Sequence, residues 1–164
     1  MKEFSFYIPR YAELPKVSLY KDQVISYLDD ILKKNCIEEN GKILTPTMIN
    51  NYVKLKVISP PKDKRYTDEH LAYLIIVCVL KHVFSIHEIS DMIKLQVRSV
   101  PIEKAYDYFC VELEEAVREV FITRNFTYES KVKFETEEGE ILRSTVMAFA
   151  NRLYVKYQLK QMNN

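Results

Sequence analysis

The sequence predicts an all-α protein, and three observations support that fold class. The chain has 164 residues, 48% of them hydrophobic, which is enough for one domain with a sizeable core. Only two glycines, Gly41 and Gly139, occur in it, whereas β-sandwiches and phosphate-binding loops need glycine for special backbone angles. Apolar residues recur at spacings of three and four along most of the chain, which is the period of amphipathic helices.

Residues 1–43 are predicted to form an arm and one helix that pack on the body. Residues 1–16 contain two prolines and several aromatics without a clear period, which indicates an extended arm. Apolar residues then recur at helical spacing, and Ser18 offers a cap. A helix is therefore predicted from about Ser18 to Lys34.

A short helix with a polar face is predicted over residues 46–56. Thr45 is a natural N-cap, and Pro46 fits the first helical position because its missing N–H costs nothing there. Apolar side chains fall on one side of this helix, and polar side chains of short or basic type fall together on the other. This polar face consists of Thr47, Asn50, Asn51 and Lys54. Because Asn in a helix costs roughly 0.5 kcal/mol relative to Ala, a functional face would explain the two asparagines.

A basic turn and two more helices complete the region 44–96. The turn, residues 60–66, begins with two prolines and carries Lys62, Lys64, Arg65 and Tyr66. Thr67 then caps a helix whose apolar residues run nearly all round it, which predicts a place at the centre of the domain. Ser85 and Glu88 stand at capping-box spacing at the start of the next helix.

Residues 97–164 are predicted to form a helical hairpin or a dimerisation region. Pro101 opens a helix whose apolar residues step by 4, 3, 4, 3 and 4, the spacing of a coiled-coil seam. The candidate dimer seam is Ile102, Tyr106, Phe109, Leu113, Ala116 and Val120. A second seam runs from Leu142 to Tyr157, and KVKF at residues 131–134 is a candidate for a brief extended piece. The first seam can pair with a second copy or with the final helix in an antiparallel hairpin, and the sequence leaves both open.

Three stretches follow one another in residues 44–96: TMINNYVKLKVISPP, KRYT and VFSIHEI. Their order resembles the DNA-binding domain of MerR-type winged helix-turn-helix regulators. In that family a recognition helix ends in a tyrosine and an apolar pair before prolines. A basic wing ending in Arg-x-Tyr-Ser/Thr follows, and then come a helix and a short Phe-Ser-Leu-x-x-Ile helix. Over its full length the chain also resembles an uncharacterised family of small bacterial proteins of unknown function.

The MerR resemblance implies a transcription regulator that binds double-stranded DNA as a homodimer, and it implies no particular effector. The 46–56 helix would read the major groove, because short donors and acceptors suit base edges. The 60–66 turn would contact phosphates, which position a protein on DNA without reading sequence. The implied base contacts are Thr47, Asn50, Asn51 and Lys54, and the implied phosphate contacts are Lys62, Lys64, Arg65 and Tyr66.

The charge distribution is compatible with that function and with an alternative. The net charge is only +1, but six basic residues stand against one acid between Lys42 and Tyr66. A concentrated basic segment suits a polyanion contacted at one place. Solvated surfaces also carry charge clusters of this size. The alternative is a helical protein–protein interaction module whose degenerate helix-turn-helix does not bind DNA.

The sequence predicts neither an enzyme nor a cofactor or metal site. His87 and Glu88 begin like the zinc motif H-E-x-x-H, but the second ligand position holds Asp91. The chain also lacks G-x-S-x-G, P-loop and G-x-G-x-x-G patterns.

The predicted location is the cytoplasm, without a membrane segment. The three cysteines are scattered and form no C-x-x-C pair, which indicates a reducing compartment. The first residues lack the basic start and apolar run of a signal peptide. The most apolar run, residues 71–80, is about half of what a bilayer span needs.

Overall fold

The computed structural model describes residues 5–37, 41, 43–127 and 136–164. Most of these residues lie in helices, which confirms the all-α class at the level of secondary-structure content. The helices are α1 (Lys21–Lys34), α2 (Pro46–Lys54), α3 (Asp68–Leu80), α4 (Ile86–Val97), α5 (Ile102–Arg118) and α6 (Glu137–Met162). Two short strands, β1 (Leu19–Tyr20) and β2 (Arg65–Tyr66), form one small sheet among the described residues. The KVKF stretch at 131–134 lies outside the described residues.

The first helix begins later than the sequence predicts. Ser18 is the expected cap, but β1 follows it and α1 begins at Lys21. Tyr20 is the N-cap residue, and its backbone N–H donates to Oε1 of Gln23 at 2.9 Å. β1 is antiparallel to β2, with Leu19 opposite Tyr66. This pairing joins segments more than 40 residues apart in sequence, which a local capping pattern cannot reveal.

The second helix begins where predicted and ends two residues earlier than position 56. The Thr45 hydroxyl caps it by accepting from a backbone N–H of the first turn, at 3.2 Å. At the other end Lys56 has a left-handed φ of 58°, and the N–H of Val57 donates to the carbonyl of Tyr52 at 2.9 Å. This Schellman motif ends the helix with lysine at the position where glycine is usual.

The basic turn between α2 and α3 is a short β-hairpin. Lys62 and Arg65 exchange two backbone hydrogen bonds of 3.2 and 2.9 Å. Between them Asp63 and Lys64 have φ values of 50° and 60°, the two left-handed residues of a type I′ turn. Because β1 pairs with β2 on this hairpin, the start of α1 is fixed beside it.

Helix α3 lies at the centre of the core, as its apolar composition predicts. Ten of its thirteen residues are buried, and α1, α4 and α5 all pack against it. The described buried residues form one continuous core that draws on all three predicted regions, 1–43, 44–96 and 97–164. No helix in the described part of the chain is long and apolar enough to cross a membrane.

Helices α5 and α6 lie side by side and run in the same direction. Near their starts, Ile102 and Ile141 line one apolar cavity. Near their far ends, the ring of Phe121, in the π-helical turn that extends α5, lies 5.4 Å from the ring of Tyr154. The antiparallel hairpin, one of the two arrangements that the sequence leaves open, is therefore wrong.

The candidate dimer seam is part of the core of its own chain. Ile102 is half-buried, and the other five seam residues, Tyr106, Phe109, Leu113, Ala116 and Val120, are at most 4% exposed. The hydroxyl of Tyr106 donates to the carbonyl of Pro9 in the N-terminal arm at 2.7 Å. These side chains are already packed against the arm, α3 and α6, so they are not available to a second copy. This corrects the seam prediction.

Candidate nucleic-acid interface

The polar face of α2 points to solvent along its whole length. Thr47, Asn50, Asn51 and Lys54 are all exposed. On the opposite face Ile49 and Tyr52 are buried in the core. Helical spacing thus identified the exposed face correctly, because the buried side of so short a helix is set by its few apolar residues.

Three of the four candidate phosphate contacts are exposed on the hairpin, and the fourth is not. Lys62, Lys64 and Arg65 are exposed. Tyr66 is 2% exposed, and its ring packs edge-on against His70 with centroids 5.4 Å apart. Burial also raises the pKa of the Tyr66 phenol. Tyr66 is therefore a core residue that anchors the hairpin, which corrects its predicted role as a phosphate contact.

His70 ties the two ends of the hairpin to α3. Its Nδ1 accepts from the backbone N–H of Thr67 at 3.0 Å. Its Nε2 lies 3.1 Å from the carbonyl oxygen of Ser59. Because Nδ1 accepts a hydrogen bond, the ring proton is on Nε2, which donates to that oxygen. From the sequence, His70 is expected only to lie at the surface or at the edge of the core. Its bonds explain how a hairpin with so few ladder bonds keeps one orientation.

The start of α1 connects the polar face of α2 to the hairpin. Lys21 donates from Nζ to Oδ1 of Asn50 at 2.6 Å. The preceding residue, Tyr20, accepts at its hydroxyl from Arg65 Nη2 at 3.0 Å, and the guanidinium stacks 5.0 Å from the centre of the tyrosine ring. Asn50, Lys21, Tyr20 and Arg65 therefore form an unbroken series of contacts across the surface. We call this series and the exposed residues of α2 and the hairpin the basic surface.

Sequence reasoning missed Lys21 and Tyr20 as members of this surface. The sequence contains one indication of a role for Lys21. It is a basic residue at the start of a helix, where the helix dipole favours acidic residues. The start of α1, Pro46 of α2, and Pro61 and Lys64 of the hairpin also line one open groove. Asp22 lines the same groove, and Asp63 stands between Lys62 and Lys64 in the sequence. The basic surface sets Lys21, Lys54, Lys62, Lys64 and Arg65 against these two acids, so it is cationic.

The structure offers no obvious metal site on this surface or elsewhere in its described part. No group of three or more His, Cys, Asp or Glu side chains is placed to hold a metal ion among the described residues. Glu88 of the partial zinc motif caps its own helix instead, since Oε2 accepts from the N–H of Ser85 at 2.7 Å. Glu88 thus has a structural role at the start of α4.

The comparisons with known proteins give one match. A family model described as a domain of unknown function (DUF1836) matches residues 9–109. The match covers more than half of the chain, from the N-terminal arm to the middle of α5, and it includes the whole basic surface. No curated protein and no solved structure matches the chain.

Proposed function

This chain belongs to the DUF1836 family, a domain of unknown function, and we propose that it is a DNA-binding transcription regulator. The order α2, hairpin, α3, α4 is the order that the MerR resemblance implies for residues 44–96, which supports the proposal. In this function α2 enters the major groove and the hairpin is the wing. The series of contacts from Asn50 through Lys21 and Tyr20 to Arg65 is the observation that carries it.

The dimensions and chemistry of α2 suit the major groove. With its side chains an α-helix is about 10–12 Å across, which fits a major groove about 12 Å wide. Thr47, Asn50 and Asn51 offer short hydrogen-bonding groups to base edges, and Asn pairs well with adenine. Lys54 ends the polar face with a cation that reaches either a base or a phosphate.

The cations of the wing and of α1 suit the phosphate backbone. Lys62, Lys64 and Arg65 are exposed on the wing, and Lys21 lies between the wing and α2. Each phosphate that they neutralise releases counterions and adds about 0.9 to the slope of log affinity against log salt concentration. Binding through this surface is therefore expected to fall steeply as salt is raised.

A homodimer is part of this proposal, because two-fold symmetry matches palindromic half-sites. The seam of α5 is buried within its own chain, so a dimer has to use another surface.

A second candidate function is a protein–protein interaction module whose helix-turn-helix does not bind DNA. It is favoured by a specific observation: several exposed large hydrophobic side chains lie on α5 and α6, outside the basic surface. Under this candidate the polar face of α2 is an ordinary solvated surface.

The test is fluorescence anisotropy of the full chain on pooled genomic duplex fragments, at low and at near-physiological salt. We expect particular fragments to remain bound at the higher salt. A wing variant, Lys62→Ala with Lys64→Ala and Arg65→Ala, should lose them. The matched control is Lys33→Ala with Lys34→Ala and Lys104→Ala, which removes the same charge from exposed positions of α1 and α5.

The control variant is expected to bind like the parent chain. Equal losses from both triple variants would mean that only net charge matters, and the DNA assignment would then fail. Absence of binding at either salt would favour the interaction module.

A further inference from the structure

Lys21 contacts Asn50 on the basic surface, and this contact changes what α2 offers to a base. Nζ of Lys21 lies 2.6 Å from Oδ1 of Asn50 and donates to it. The amide of an unbonded asparagine presents one acceptor and two N–H donors. Because the acceptor here is already bonded to an ammonium group, the two side chains together present mainly N–H donors.

The start of α1 places Lys21 beside α2. Lys21 is the first residue of α1, which packs against α2, and it is half-buried, whereas Asn50 is exposed on the polar face. The preceding residue, Tyr20, lies opposite Arg65 in the small sheet. The backbone of Lys21 is thus held between a helix and the sheet, so its side chain reaches Asn50 from a fixed position.

The bases differ in the groups that they present in the major groove. Guanine presents two acceptors, N7 and O6, and thymine presents one, O4. Adenine presents the acceptor N7 beside the amino donor N6, and cytosine presents the amino donor N4. Asparagine alone therefore pairs best with adenine, through its oxygen and its NH2 group, whereas lysine pairs best with guanine.

We propose that Lys21 and Asn50 act as one unit that selects guanine, with Lys21 turning the preference of Asn50 away from adenine. The inference rests on the proposed DNA-binding function and names the base that this part of α2 reads. Within the unit, the NH2 group of Asn50 donates to one acceptor of guanine and Lys21 donates to the other. No other base presents two acceptors in the major groove.

Charge, rather than the number of acceptors, disfavours adenine. Oδ1 of Asn50 keeps a second lone pair beside its bond to Lys21, so a lone pair remains for adenine N6. That approach brings the amino group of adenine close to the ammonium of Lys21, which lies 2.6 Å from the same oxygen. The ammonium repels hydrogen-bond donors and attracts acceptors, and its bonds to acceptors are strong because they are charge-assisted.

The experiment measures base preference at every position of a bound fragment. Each position is changed in turn to all four base pairs, and the affinity of the full chain is compared by anisotropy. We expect a position at which guanine is preferred to adenine by about tenfold. Lys21→Ala should turn that preference towards adenine, because Asn50 then acts alone. Asn50→Ala should reduce discrimination at the same position, which identifies the position as the one that the unit reads.

Two further variants separate the unit from charge in general. Lys21→Arg keeps the charge and the donors, and arginine also pairs with guanine, so the guanine preference should remain. Lys62→Ala removes the same charge as Lys21→Ala, but from an exposed position of the wing. It should lower affinity for all bases at that position alike and leave the ratio of guanine to adenine unchanged.

A measurement without DNA tests the contact itself. In nuclear magnetic resonance spectra of the full chain, Lys21→Ala should shift the side-chain NH2 signals of Asn50 more than those of Asn51, the adjacent exposed asparagine. Unchanged Asn50 signals overturn the inference before any DNA is added.

The outcomes with DNA distinguish this inference from the proposed function. A parent chain that binds particular fragments, but whose Lys21→Ala variant loses affinity for guanine and adenine equally, overturns the inference while the DNA-binding function stands. A parent chain that prefers adenine at the position of Asn50 does the same. A parent chain that binds no DNA overturns both.

Discussion

Lys21 and Asn50 are joined by a 2.6 Å hydrogen bond from Nζ to Oδ1, although they belong to different helices. Lysine has only donors, so the amide oxygen of Asn50 must face it. The amide NH2 group is thereby turned away from α1. Without this contact the side chain of Asn50 would be free to rotate. With it, the amide NH2 group is held in a position from which it can donate to a base.

Replacement of Asn50 is expected to change sequence preference rather than general affinity. Asn50→Ala should relax discrimination at one base position by about 1 kcal/mol, because the NH2 group of Asn50 makes one hydrogen bond to a base. Lys62→Ala, which removes an exposed cation of the wing, should instead weaken binding to all sequences and reduce the salt slope. Anisotropy on the selected site and on its single-base variants separates the two effects. Equal and negligible effects of both changes would contradict the proposed use of α2.

Replacement of Lys64 is expected to raise stability and to weaken DNA binding. This residue lies at the tip of the hairpin and has a left-handed φ of 60°. Glycine tolerates that conformation without steric cost. We expect Lys64→Gly to stabilise the chain by about 0.5–1 kcal/mol in urea unfolding, because relief of the left-handed conformation, about 1–2 kcal/mol, exceeds the cost of the entropy that glycine adds to the unfolded chain. The same change should weaken DNA binding and lower the salt slope by about 0.9.

Lys56→Gly is the matched control for this prediction. Lys56 has a left-handed φ of 58° at the end of α2, so glycine should stabilise the chain by a similar amount. It is not among the proposed phosphate contacts, and the salt slope should stay unchanged. A decrease of the slope in both variants would show that the hairpin has no special role.

The buried carboxyl of Glu112 is expected to make stability depend on pH. Burial is the main cause that raises its pKa, the nearby Glu115 adds to the effect, and Arg143 opposes it. The folded chain therefore holds this proton more tightly than the unfolded chain, and stability is lost as pH rises from the ordinary glutamate pKa through the raised one. Glu112→Gln removes this loss.

Urea unfolding of Glu112→Gln and of the parent chain at two pH values measures the effect. The variant should be the more stable of the two near neutral pH. The difference should shrink as pH is lowered below about 4.3, where both side chains are uncharged. A gain in stability of equal size at both pH values would show that packing, not ionisation, is responsible.

The three thiols should differ sharply in reactivity. Cys36 is exposed, while Cys78 and Cys110 are buried. Burial raises the pKa of both buried thiols to about 12, so little thiolate is present near neutral pH. Mass spectrometry after maleimide treatment should show one label on the native chain and three on the unfolded chain. Cys36→Ser should remove the native label, and a second label at the native rate would contradict the buried positions.

Local sequence signals predicted much of the fold because helix formation depends on residues within one turn of each other. Thr45 caps α2, and Ser85 with Glu88 forms a reciprocal capping box at α4, as their spacing indicates. The apolar run of α3 identified the centre of the core. The polar face of α2 followed from a period of three and four alone.

The low number of glycines does not prevent several other residues from adopting a left-handed backbone conformation. Asp63 and Lys64 form a tight hairpin turn, and Cys36 and Lys56 end helices, all with positive φ. Glycine content therefore predicted the helical class correctly but concealed these turns. In each of them, contacts with the rest of the chain outweigh a local preference that costs about 1–2 kcal/mol.

By itself, the sequence determined the helical class, most helix starts and the exposed polar face of α2, since each depends on neighbours three or four positions away. Tertiary structure decided the pairing of Leu19 with Tyr66, the burial of Tyr66, the bond between Lys21 and Asn50, and the parallel direction of α5 and α6. A seam of apolar residues specifies that a helix face will be covered, but not by which partner. That choice depends on which surfaces meet when the whole chain buries its apolar area, and those surfaces come from positions far apart in the sequence.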